Sequence, residues 1–154
     1  MCQLIYLASV DPLPESDALE LRSIAEPNPN NHYADLQAAL PEARHFYQLG
    51  GCQCYFRYYS DAAIAEDYAE HVARGDQEAA DSSRNHLEGV AASVANTADY
   101  LADNLGHTAI WMIWKWEGEP VSADCVRWTV APSYFRQEDF TVPPNECVIA
   151  LIPD

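Results

Sequence analysis

The chain has 154 residues, 49% of them hydrophobic, with 24 acidic side chains against 8 basic ones and a formal net charge of −16. Such a length and apolar content suit one globular domain spanning residues 1–154 and exclude a disordered chain. The charge repels phosphate backbones and anionic lipid, so neither nucleic acid nor a membrane surface is an expected partner.

Residues 2 to 8, Cys-Gln-Leu-Ile-Tyr-Leu-Ala, are apolar at nearly every position, as expected of a strand covered on both faces, and Asp11-Pro12-Leu13-Pro14 ends it. From Ala18 to Ala25, Leu19 and Leu21 alternate with Glu20 and Arg22, the pattern of a half-exposed strand, and Pro27 to Asn31 reads as a loop. Leu36 to Leu40 is expected to form one helical turn before Pro41. Gly50-Gly51 then stands between two aromatic-rich runs, Arg44 to Leu49 and Cys52 to Tyr59. This is the signal for a two-residue hairpin, because glycine accepts the positive φ such turns require. In that hairpin Leu49 faces Cys52, Tyr47 faces Cys54 and His45 faces Phe56, all on one side of the strand pair.

Beyond Ser60 the period changes. Ile64, Tyr68 and Val72 recur every four residues between a Ser60 or Asp61 cap and Gly75, which predicts a short helix. Leu87, Val90, Val94, Ala98, Leu101 and Leu105 follow at spacings of three or four up to Gly106. They predict a second helix that starts between Asp76 and Arg84, with Thr97 placed to re-cap a break inside it. From Thr108, Ala-Ile-Trp-Met-Ile-Trp-Lys-Trp reads as a strand apolar on both faces until its last residues, and Cys125 to Val130 alternates Val126, Trp128 and Val130 with Cys125, Arg127 and Thr129. Joined by the turn region Glu117 to Pro120, the two are expected to pair as a hairpin, with Trp114 opposite Trp128 and Lys115 beside Arg127 on the other face. Cys147 to Ile152 is a last apolar strand, stopped by Pro153.

No apolar run reaches the roughly 18 residues needed to span a bilayer, and no charged-then-apolar leader opens the chain, so a cytoplasmic protein is expected. Five cysteines at positions 2, 52, 54, 125 and 147 form no disulfide framework, and reduced thiols follow. The motifs of serine hydrolases, phosphate-binding loops, zinc proteases and dithiol oxidoreductases are all missing. Carboxylates are so abundant that pairs such as Glu117 and Glu119 are more economically solvated positions than a general acid and base. Trp111, Trp114, Trp116 and Trp128 are dense enough to line a groove, although packing in the core is the preferred account, since the strand is apolar on both faces. Lys115 is the sole lysine; paired with Arg127 it makes a local positive spot, a candidate binding site for an anion or a partner carboxylate.

Cys52 and Cys54 share the face of His45 in the expected hairpin. Residues two apart on a strand are too far apart, and too parallel, for a disulfide. A zinc ion would need the two sulfurs converged and at least one further ligand, for which Cys2 and His45 are candidates. Metal is favoured over redox chemistry there, because the acidic field opposes thiolate formation and a bound cation supplies its own positive charge. Packing as small apolar residues is the plainer alternative. The opening Met1-Cys2-Gln3-Leu4-Ile5-Tyr6-Leu7-Ala8-Ser9 with Pro12-Leu13-Pro14, together with Gly51-Cys52-Gln53-Cys54-Tyr55-Phe56-Arg57, resembles a group of small uncharacterised bacterial proteins. Members of that group begin with Met-Cys and carry a Gly-Cys-Gly-Cys-Gly-Phe run. The resemblance implies that Cys2, Cys52 and Cys54 belong together; Gln53 and Tyr55 depart from it, standing where the group has glycines that would let the segment curl around an ion.

The order strands, helices, strands predicts an α+β fold: a mostly antiparallel sheet of five to seven strands, centred on the doubly apolar runs, with the helical insertion of residues 61 to 105 packed on one face. The function expected is that of a non-catalytic binding or interaction domain without cofactor. Its alternatives are a thiol or zinc site at Cys52 and Cys54, and an enzyme that uses dispersed carboxylates.

Overall fold

The computed structural model describes residues 3–24, 33–50, 61–122, 124–137 and 146–154. In chain order these form β1 (Gln3–Ser9), β2 (Leu21–Ser23), α1 (Tyr33–Ala39), β3 (His45–Leu49), α2 (Asp61–Arg74), α3 (Gln77–Leu105), β4 (Ile110–Trp116), β5 (Val126–Val130), a 3₁₀ turn (Pro132–Arg136) and β6 (Cys147–Leu151). The fold is α+β. The six strands make one open sheet in the order β2-β3-β1-β4-β6-β5, antiparallel except for the parallel β5 and β6 pair.

Burial explains the order. β1, β4 and β6 carry apolar residues on both faces, so each is most stable with neighbours on both edges and cover on both sides. They are the adjacent strands β1-β4-β6. Side chains alternate along each strand, which splits the core in two. Ile5, Leu7, Tyr47, Met112, Trp114, Cys147 and Ile149 face one way, where Val90, Val94 and Leu101 of α3 cover them. Tyr6, Ala8, Phe46, Ile113 and Val148 face the other way, under Leu36 of α1 and Leu40 just beyond it.

α3 is the principal cover of the sheet. Its buried residues Val90, Val94, Thr97, Ala98 and Leu101 repeat at helical spacing, as the sequence pattern requires. The Asp76 carboxylate caps its first turn by accepting from Ala79 N at 3.1 Å, and Gly75, at φ 72°, makes the sharp turn from α2. The helix runs through Thr97 without a break, the Thr97 hydroxyl donating to the Ser93 carbonyl at 2.8 Å. α2 leans on α3, tied to it by Ser83 Oγ donating to Asp67 Oδ2 at 2.7 Å. Val72, part of the apolar repeat of α2, stays 49% exposed.

Three expected features differ. β4 and β5 do not pair: β6 lies between them, so Trp114 stands opposite Cys147 and Ile5, and Trp128 opposite Ile149. The reason is competition for the inner position, which the doubly apolar β6 fills better than the half-polar β5. From Ala18 to Ile24, the described part of the run expected from Ala18 to Ala25, only Leu21 to Ser23 is strand, because residues 17–20 turn sharply, with Glu20 at φ 48°. β3 has β1 on one edge and β2 on the other, so at Tyr47 and Leu49 no edge remains for the expected hairpin. Gly50 does take the positive φ of a turn, 63°, and residues 52–59 lie outside the described residues.

Candidate functional site

Of the residues singled out for metal, Cys2, Cys52 and Cys54 lie outside the described residues. His45 begins β3, half-buried and opposite Ser9. Among the described residues no three His, Cys, Asp or Glu side chains converge as a metal-holding group. The two described thiols are kept protonated, which makes them poor nucleophiles. Burial pushes Cys147 up to about 11, the neighbouring Cys125 adding to it. Burial also raises Cys125, against the opposing effect of the Arg127 guanidinium.

Lys115 and Arg127 share a face of the sheet, as expected, but with β6 between their strands rather than side by side. Each is directed at α1. Lys115 is fully buried, with Nζ 3.9 Å from Asp35 Oδ2 in the first turn of α1 and, among the described residues, without a hydrogen-bond partner. Burial pulls its pKa below the usual lysine value, while Asp35 and Glu146 act in the opposite sense. Arg127 Nη2 donates to the Ala39 carbonyl, the last residue of α1, at 3.2 Å. A helix of seven residues has little stability alone; the two cations tether its ends to β4 and β5.

Among the described residues β5 ends the sheet, with no strand on its outer edge. The pair Val130 and Leu151 and the bond from Ile152 N to Val130 O at 3.0 Å show that the polar backbone groups of Val130 point toward β6. Backbone groups alternate sides along a strand, so those of Trp128 also point inward, and the N–H and C=O of Arg127 and Thr129 point out from the sheet. Among the described residues none of these four groups has a backbone partner beyond β5. An open cleft of about 540 Å³ runs along this edge, lined by Arg127, Trp128, Thr129, Val130 and Tyr134.

Its walls differ. On the α3 side Trp128 meets Tyr134 edge-to-face, ring centroids 6.4 Å apart at 82°, and Tyr134 meets the buried Phe135 at 5.6 Å, so the 3₁₀ turn holds an aromatic wall in place. Val126, next along that face, is 42% exposed. On the α1 side are Arg127 and Thr129, both exposed. Where β5 begins, the exposed Asp124 and the half-buried Glu146 flank Cys125, and both carboxylates raise its pKa.

The sequence named Arg127 as a candidate, with Lys115 and for an anion; it did not name Thr129, Val130 or Tyr134. The alternation from Val126 to Val130 was the available signal, since a half-polar strand beside doubly apolar ones belongs at a sheet edge. No helix among the described residues is long and apolar enough to cross a membrane. No protein-family model, curated protein or solved structure matches the chain.

Proposed function

We propose that the protein is an interaction domain that captures an extended segment of a partner protein along the outer edge of β5. The observation that carries this reading is the outward N–H and C=O of Arg127 and Thr129 beside a ready-made aromatic wall. Strand addition needs these two parts: backbone groups supply affinity, and the side chains on alternate faces supply selection. Proteins ordinarily blunt such edges with charge, proline or a covering loop, whereas this one combines a single arginine with Trp128 and Val130. A second copy of the chain is a poor occupant, because two bodies each carrying −16 repel at ordinary salt.

The test is amide exchange with short synthetic peptides alternating valine and threonine. Arg127 and Thr129 amides exchange rapidly in the free protein and slow on titration, while the Trp128 and Val130 amides are protected throughout. Thr129→Pro removes an outward N–H without costing a bond inside the sheet, so the protein stays folded and the slowing at Arg127 is lost. Titration to millimolar peptide without any slowing at these two amides would reject the reading.

A further inference from the structure

We infer that the captured segment is basic at the position facing the start of β5, apolar on alternate residues, and not basic opposite Arg127; this rests on strand addition at β5. An added strand continues both faces of the sheet, so its alternate side chains meet the two walls described above. On one face they meet Val126, Trp128 and Val130, with Tyr134 against Trp128, where apolar side chains bury most surface. On the other face they meet Cys125, Arg127 and Thr129 in turn.

Charge on that second face is uneven. The Arg127 guanidinium already donates to the Ala39 carbonyl, and it repels any cation placed directly opposite. Two residues back, just before β5, Cys125 is flanked by the exposed Asp124, its neighbour in sequence, and by Glu146, which precedes Cys147, the residue opposite Val126. Glu146 accepts from Ser122 N at 3.2 Å, and neither carboxylate forms an ion pair among the described residues. Lys115 acts electrostatically with Glu146 but is itself fully buried against Asp35, and the exposed Arg127 is turned to the Ala39 carbonyl, so a lysine or arginine arriving opposite Cys125 meets two carboxylates that no ion pair among the described residues neutralises. The field of the whole chain, −16, acts in the same direction by steering a basic partner toward the surface.

Three valine-threonine peptides that differ only in the residue facing Cys125, carrying Lys, Gln or Glu there, decide the matter, with binding read from the Arg127 and Thr129 amides. The expected order of affinity is Lys, then Gln, then Glu, with about five- to tenfold between the extremes at low salt, shrinking toward equality at molar salt. In the variant Asp124→Asn with Glu146→Gln the preference disappears while binding remains. If all three peptides slow the two amides and the Glu peptide binds as well as the Lys peptide, the inference is overturned and edge capture survives. If none slows them, edge capture itself is rejected and the inference with it. If the two amides are slowed in the free protein in proportion to its own concentration, the occupant is a second copy, and the inference is again overturned.

Discussion

Lys115 Nζ lies 3.9 Å from Asp35 Oδ2, the lysine wholly buried and the aspartate side chain 38% exposed. The contact joins a central strand to a seven-residue helix and is unequal in solvation. Lys115 has surrendered its water, whereas Asp35 has kept part of its own. The expectation follows that the aspartate matters more to the lysine than the lysine does to the fold. Asp35→Ala leaves a buried amine without its nearest carboxylate and is expected to cost about 1 to 2 kcal/mol, the partial exposure of Asp35 reducing the effect. Lys115→Met removes the charge and keeps the bulk; it is expected to leave stability unchanged or raise it by about 1 to 3 kcal/mol. Urea unfolding of both variants at pH 7 checks the pair.

The dependence of stability on pH has two opposed parts. The folded pKa of Lys115 lies below its ordinary 10.5, so between the two values the unfolded chain binds the extra proton and stability rises with pH. Cys147 and the tyrosines act the other way. Their folded values, about 11 for Cys147 against an ordinary 9.0 and about 12 for Tyr6 and Tyr100 against 10.0, give a contribution fully present below the ordinary values and lost as pH climbs through the folded ones. Lys115 therefore adds a rise that ends near pH 10.5, and the other three groups a fall between about pH 9 and 12. Lys115→Met removes the rise and leaves the fall, as urea midpoints across this range would show.

Amine acylation of the native protein is expected to leave Lys115 unmodified, because its side chain has no exposed surface. The same reagent in denaturant modifies it fully. Peptide mass spectrometry reads both, and substantial native modification would show that α1 lifts from the sheet readily.

Removal of side-chain volume is expected to separate the two long helices. Leu101→Ala opens a cavity under α3 and costs about 2 to 5 kcal/mol. Val72→Ala, on the exposed side of α2, changes stability by less than about 0.5 kcal/mol. Equal costs in urea unfolding would mean that α2 carries as much of the packing as α3.

The fold was legible wherever burial shows as composition. Ile5 and Leu7, Met112 and Trp114, and Val148 and Ile149 each sit in runs apolar at consecutive positions, and such runs have only the middle of a sheet to occupy. The spacing of Val90, Val94, Ala98 and Leu101 likewise marked the helix that covers them. What composition does not encode is which strand lies beside which. Nearness in sequence favoured β5 as the partner of β4, and only the stronger claim of β6 on the same edge displaces it. The candidate site was hidden for that reason: Arg127 and Thr129 face outward only once β6 has taken the inner side of β5. Lys115, written into an apolar strand near its end, read as half of a positive spot because its cover, α1, comes from a part of the chain some 80 residues away.

The middle position of β6 also imposes a timetable. β5 is synthesised before β6 and has no neighbour in the sheet until β6 has paired with β4. During that interval Val126, Trp128 and Val130 form an unpaired strand with two open edges, the form of chain most prone to stick to its own kind. A substitution that slows the docking of β6, such as Ile149→Thr, would therefore reduce soluble yield during expression by more than its cost to the finished protein.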